Sequence, residues 1–331
     1  MSIRTIVISP GRYGYGVLGH EMKNGLIAHL DIDVLAHQAQ DWDLVLFTSP
    51  PKLVYMGRER RPDFVWYSQW ETTRMLDDWL APLNNCGMVF TASTFSRDVL
   101  KASGVTTKMV LVPHGVSDAL RYVERDRVSP FTFMAMGRTF GGRKGVAKTL
   151  RCFLKLKDRG ELGESRLLIK LGKLPFKTVQ FGGKTRDDVE IIAEKVDFGT
   201  LAGLYGKADA FVYPSHGEGY GLEPLEAMAT GACALVTNWS GMTDYIRDDV
   251  CIPLPYKLGN FPSPPYDGCG EMAFVDEDVL QEKMVWCYEH QEQVREMGRA
   301  ASEYVCSEWR WDKAIRIAAD ALIEHAASIY S

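Results

Sequence analysis

The chain has 331 residues, enough for two domains of ordinary size, and is 46% hydrophobic and 24% charged, a globular balance with no apolar run long enough to cross a bilayer. Its formal net charge of −5 is uneven: residues 131–190 carry 14 Lys and Arg against 6 Asp and Glu, whereas 191–331 carry 10 against 23. Seven scattered cysteines without a CxxC pair point away from a disulfide framework or a zinc site, and the opening MSIRTIVISPGRYGYG lacks a signal-peptide core, so a reducing cytoplasm is the expected setting.

Thr5 to Ser9 reads as a β-branched strand. The glycine loop GRYGYGVLGHEMKNGL follows and runs into a helix with Val17, Leu18, Met22 and Leu26 on one stripe. A strand, a glycine loop and a helix open a Rossmann-like domain. The loop is a poor dinucleotide fingerprint, because Gly11 and Gly14 are one residue too far apart, although Gly14-x-Gly16-x2-Gly19 fits loosely. Strands are expected at Leu44 to Thr48, Phe64 to Tyr67, Met88 to Thr91 and Lys108 to Val112, and helices at Glu71 to Leu83 and Thr94 to Ser103. Glu71 follows Trp66, Tyr67 and Trp70 and reads either as an acid facing an acceptor or as a structural acid at a helix start. Ser117 to Pro130 is polar, without an apolar period, and reads as a linker.

The strand–glycine loop–helix pattern then repeats. Phe131 to Met136 is a strand, GRTFGGRKG a loop, and Ala147, Leu150, Phe153, Leu154 and Leu156 mark a helix. Leu167 to Leu171 is a strand, Lys173 to Lys184 a loop, Val189 to Ala193 and Val196 to Phe198 short elements, and Leu201 to Tyr205 a helix. The apolar run ending at Tyr213 reads as a buried parallel strand, followed by the loop PSHGEG and a helix through Leu222, Leu225, Ala227, Met228 and Ala229, closed by Gly231. Ala234, Leu235 and Val236 start the next strand, so this is a βαβ unit whose loop lies where open α/β sheets bind ligands. Glu218 stands in that loop and Glu226 eight residues on, in the helix. Gly217, Gly219 and Gly221 allow close backbone approach, and the helix-start amides favour an anion. Two carboxylates flanking an anion site suit a nucleotide sugar; the plain alternative is a solvated helix start. Pro253 to Pro265 reads as a surface loop, and Asp276 to His290, Gln293 to Val305 and Trp309 to Ala327 as helices.

Glu218-x7-Glu226 inside EGYGLEPLEAMATG resembles the donor-site signature of family 4 (GT4-like) retaining glycosyltransferases of the GT-B fold. The resemblance implies an α/β protein with two Rossmann-like domains facing each other across a cleft. Its domains would be residues 1–118 on the acceptor side, a linker at 119–130, a nucleotide-sugar donor domain at 131–308, and a helix at 309–331 crossing back. Glu218 would hold sugar hydroxyls and Glu226 the ribose, with Gly219, Tyr220, Gly221 and Leu222 at the donor. Of the cations in GRTFGGRKG, Arg138, Arg143 and Lys144, the Arg143-Lys144-Gly145 run best fits the diphosphate motif. Two fixed cations there would stabilise the charge that develops on the leaving nucleoside diphosphate. Lys170 falls near the cleft, and Gly14, Tyr15 and Gly16 on the acceptor side. His114 stands where many relatives carry Asn and reads as a hinge or backbone-binding residue rather than a proton shuttle. Ser240-Gly241-Met242-Thr243-Asp244 departs from the family's Gly-Gly-x-x-Glu turn, so that turn's role stays open. No Asp-x-Asp motif stands at the donor site, so neither a metal nor a cofactor is expected.

The resemblance implies transfer of a hexose or pentose from a nucleoside-diphosphate sugar to a hydroxyl of a saccharide, lipid or small molecule. A sugar-nucleotide epimerase, a phosphorylase and a non-catalytic nucleotide-sugar binding protein are the alternatives. The basic block raises a further one. Lys148, Arg151, Lys155, Lys157 and Arg159 read as a solvated helix face, but Lys170, Lys173, Lys177, Lys184 and Arg186, with Arg58, Arg60 and Arg61, could bind a polyanion. That polyanion would be an anionic lipid or polysaccharide, or DNA presenting a hydroxymethylated base. Peripheral membrane contact stays open.

Overall fold

The computed structural model describes residues 3–9, 13–29, 31–35, 41–51, 59–125, 130–172 and 186–331, with backbone alone over 13–16. The chain forms two units: Met1–Gly115 with Asn260–Glu271 and Trp309–Ser331, and Val116–Gly259 with Met272–Glu308.

The first unit contains β1 (Ile3–Ile8), α1 (Tyr13–Ile27), β2 (Ile32–Leu35), β3 (Leu44–Phe47), β4 (Arg61–Tyr67), α2 (Leu80–Asn85), β5 (Cys86–Thr91), α3 (Thr94–Ala102) and β6 (Met109–Leu111). The strands form a parallel sheet in the order β2-β1-β3-β4-β5-β6. Every residue of β3, LVLF, is buried, the pattern of a strand covered on both faces. Phe47 stacks on Trp66 with ring centroids 4.6 Å apart. Ser93 caps α3 by accepting from the Ser96 amide, as its position before the helix predicts.

Two expectations change in this unit. Gly14 and Gly16 lie in the first turns of α1, not in a loop. The helix expected over Glu71 to Leu83 shrinks to a 3-10 turn at Asp77–Trp79 and the short α2. The reason is competition for the backbone: Trp70 Nε1 and Thr72 Oγ1 donate to the Arg74 carbonyl at 2.7 and 2.8 Å, and the Thr73 amide donates to Glu271 O at 3.1 Å. Residues 260–265 are irregular and largely exposed, as expected of a surface loop, and the stretch after them packs in this unit, Tyr266 on Trp70, Cys269 on Thr72 and Glu271 on Thr73.

The second unit contains β7 (Thr132–Gly137), α4 (Val146–Asp158), β8 (Arg166–Leu171), β9 (Val189–Ile192), α5 (Phe198–Lys207), β10 (Ala210–Tyr213), α6 (Leu222–Ala229), β11 (Cys233–Thr237), β12 (Cys251–Leu254), the antiparallel pair β13 (Lys257–Gly259) and β14 (Met272–Phe274), then α7 (Glu277–Glu289) and α8 (Gln291–Glu308). Its parallel sheet runs β12-β11-β10-β7-β8-β9. Pro253, expected in a loop, sits in β12, an edge strand where a missing amide is tolerated. From β7 the chain builds outward through β8 and β9, then returns to lay β10 on the other side of β7. The strand order therefore reverses between β7 and β10, which is where α/β sheets place ligands. The last helix, α9 (Trp311–Tyr330), belongs to the first unit and packs on α1, β4 and β5. Among the described residues no helix is long and apolar enough to cross a membrane.

Candidate donor site

The loops after β7 and β10 leave the sheet at the reversal point and are joined to each other. The His216 amide donates to the Arg143 carbonyl at 2.7 Å, and the Arg143 guanidinium donates to the Gly217 carbonyl. Both following helices start on a left-handed glycine, Gly145 at φ 73° and Gly221 at φ 88°. A Cβ on Gly145 would lie 2.5 Å from the Pro214 carbonyl oxygen, so this glycine lets one loop rest on the other.

Glu218 is the centre of the site and only 4% exposed. Its Oε1 lies 2.5 Å from Arg143 Nη1 and 3.8 Å from Lys144 Nζ, and accepts from Ser215 Oγ and Tyr213 Oη, each at 2.8 Å. Burial alone would raise this carboxyl's pKa; the two cations and the hydrogen bonds overcome it and hold Glu218 ionised, well below the usual carboxylate range. The peptide of Glu218 is pinned as well. Its amide donates to Ser240 Oγ at 2.9 Å, and its carbonyl accepts from the Gly241 amide at 3.0 Å. The turn that departs from the family pattern thus has a role, the alignment of Glu218.

Lys144 donates to Tyr213 Oη at 2.7 Å and forms an ion pair with Glu223, whose Oε2 lies 3.1 Å from the same phenol. Arg143, Lys144, Glu218 and Glu223 carry two positive and two negative charges. Glu226 lies one turn further along α6, and the Tyr205 hydroxyl donates to its Oε2 at 2.9 Å. Leu222 begins α6; Gly221 precedes it, and its carbonyl accepts from Tyr245 Oη at 2.7 Å. The Tyr220 ring is buried against Tyr245, and the Gly219 carbonyl lies against Gly241.

The other expected residues fall elsewhere. Arg138 directly follows β7 and is exposed. Lys170 is buried, and its ammonium donates to the carbonyls of Leu171 and Glu194, each at 2.7 Å. Gly14, Tyr15 and Gly16 have their side chains outside the described residues. Glu71 is half-buried, in irregular chain. His114 is buried in the first unit between Tyr67 and Trp311, at ring distances of 5.8 and 5.5 Å, and burial pushes its imidazole down to about 3, so it is neutral at neutral pH. That environment suits a structural ring and not a proton shuttle.

Tyr213, Ser215 and Glu223 escaped the sequence reading as site residues. Tyr213 and Glu223 stand 69 and 79 residues from Lys144, so no local spacing reports their meeting. The visible hint was a third acid, Glu223, between Glu218 and Glu226.

Residues 130–256 match the family described as Glycosyl transferases group 1, a stretch that holds the whole cluster. The chain is 26% identical over 161 residues to the O-antigen chain mannosyltransferase RfbU of Salmonella typhimurium, a match spanning 47% of this chain and 43% of that relative. Among solved structures, sucrose-phosphate synthase from Thermosynechococcus elongatus superposes with a TM-score of 0.70 over 99% of this chain and 100% of that one, at 14% identity. HepE from Anabaena, in complex with UDP and glucose, gives 0.69 over 97% and 100%, at 11% identity. WaaG, a glycosyltransferase involved in lipopolysaccharide biosynthesis, gives 0.65 over 97% and 99%, at 13% identity. The fold is GT-B, with two Rossmann-like units. The resemblance to glycosyltransferases stands, and the family match lies in the unit that carries Glu218 and Glu226.

Proposed function

We propose that this protein is a retaining glycosyltransferase that moves a sugar from a nucleoside-diphosphate sugar to a hydroxyl of a saccharide, lipid or small molecule, without a metal ion. The observation that carries the reading is the cluster of Arg143, Lys144 and Glu218 at the reversal point of the second sheet, with Glu226 further along the helix that starts there. In this reading the two cations take the diphosphate, Glu226 the ribose and Glu218 the sugar hydroxyls. Catalysis is then positioning and charge stabilisation. As the glycosidic bond breaks, negative charge grows on the leaving phosphate, where Arg143 and Lys144 already stand. In this reading no side chain of the cluster acts as a nucleophile, and the step is front-face, with the leaving phosphate accepting the acceptor's proton.

The test is a thermal-shift screen of UDP-, GDP- and ADP-linked sugars, with glucose and mannose donors first, followed by a mass-spectrometric acceptor screen. A donor that stabilises the protein, and a product whose NMR spectrum shows the donor's anomeric configuration, support the reading. An inverted product would overturn the retaining assignment, and failure of every donor to bind would overturn the whole.

A further inference from the structure

Glu223 is the acid of the cluster that no donor contact requires. It reaches Lys144 from the first turn of α6 and shares the phenol of Tyr213 with Glu218. The two carboxylates are held unequally. Glu218 has Arg143, Ser215 and Tyr213 on one oxygen and a side chain only 6% exposed. Glu223 has Lys144 and Tyr213 and is 20% exposed, with solvent to turn into. Before any ligand arrives, the ammonium of Lys144 is already neutralised by this second carboxylate. A diphosphate brought to Lys144 would meet Glu223 at close range, and like charges at that spacing disfavour each other.

Resting on the donor reading above, we propose that Glu223 is an internal competitor for the donor phosphates: it occupies Lys144 in the free protein and must swing away before the diphosphate can take its place. Release of Glu223 also leaves the single phenolic proton of Tyr213 to Glu218, so phosphate arrival and alignment of the sugar-binding carboxylate are one event. Donor and product nucleotide are both held less tightly than two free cations would hold them, which favours product release.

The experiment is calorimetric titration of UDP, GDP and ADP in turn into the wild type, Glu223→Gln, Lys144→Met and the double variant, at one low salt concentration. Glutamine keeps the shape and can still accept from Tyr213; Glu223→Ser gives the same readout should glutamine fold poorly. The expected result is about tenfold tighter nucleotide binding in Glu223→Gln, on the order of one charged hydrogen bond. No gain is expected when the same change is made beside Lys144→Met. Equal or weaker binding in Glu223→Gln overturns the competitor role and leaves the donor reading intact. A gain that persists without Lys144 overturns it too, because the effect would then be general repulsion. Absence of binding in every protein removes the donor reading and this proposal together.

Discussion

The hydroxyl of Tyr205 donates to Glu226 Oε2 at 2.9 Å, which fixes the outer carboxylate of the site from a neighbouring helix. Tyr205 is fully buried, with its ring edge-on to Phe211, so the carboxylate is aimed by a side chain that cannot move freely. Tyr205→Phe should therefore weaken nucleotide binding several-fold with little change in turnover, about 0.5–1.5 kcal/mol for one lost hydrogen bond. Glu226→Ala should cost more, about 1.5–3 kcal/mol, again chiefly in binding. Glu218→Ala should fall mainly on turnover. Calorimetry for binding and saturating-donor rates for turnover separate the three.

Lys144→Ala should slow donor hydrolysis and sugar transfer alike, because both expel the same leaving group. A loss on the order of 10²–10³-fold is expected for one preorganised stabiliser. EDTA should leave the wild-type rate unchanged; abolition of activity by chelation would mean that a metal shares the task.

Gly241→Ala tests the turn behind Glu218. A Cβ at this position would lie 2.3 Å from the Gly219 carbonyl oxygen, too close for any real contact, so the loop must shift. Overpacking of this kind costs about 1–3 kcal/mol, visible as a lower melting temperature, and the displaced Glu218 should lower turnover in the protein that still folds. An unchanged melting temperature and rate would show that the turn is soft.

The strand–glycine loop–helix units of the second half and the loop with Glu218 were legible because each rests on local chemistry: apolar runs for buried strands, glycines at the left-handed helix starts, and acids at fixed spacing. What stayed hidden depends on partners far along the chain. Nothing near Glu71 announces that residues 269–271 take the backbone partners a helix would have used. Lys170 read as a free cation because the carbonyl of Glu194, 24 residues on, was out of view. The acids that answer the basic surplus of residues 131–190 were equally out of view, both for the helix face read as solvated and for Arg186, read as part of a possible polyanion surface. Arg151 and Lys155 share Glu277, and Arg186 pairs with Asp158 and Asp188.

Those pairings bear on the acceptor. Arg61 is likewise matched, to Asp63 at 2.7 Å, while Arg58, Lys173, Lys177 and Lys184 lie outside the described residues. Hydroxymethylated and plain duplex DNA should bind equally weakly in a gel shift at two salt concentrations, with no sugar transferred. Binding of the modified duplex that falls steeply with salt, with transfer, would reverse this expectation.

His114 gives the stability a defined pH dependence. Its folded pKa is held at about 3 by burial, against an ordinary value of 6.5. Between those values the unfolded chain binds a proton that the folded chain refuses, so this group's contribution falls as the pH drops from 6.5 toward 3. His114→Phe keeps a ring between Tyr67 and Trp311 and should flatten that part of the stability curve, measured by urea unfolding at a series of pH values.

The first unit is written in three separate stretches of chain, with α9 following the second unit. His325 on α9 meets the carbonyl of Pro62 at 2.8 Å, a partner made 263 residues earlier. At roughly 5–20 residues per second, a ribosome takes on the order of 10–50 s to span that gap. For most of that time β4 and β5 have been made and the helix that covers them has not. The second unit can therefore close first although it is encoded second, and the nascent first sheet is where a chaperone would be needed.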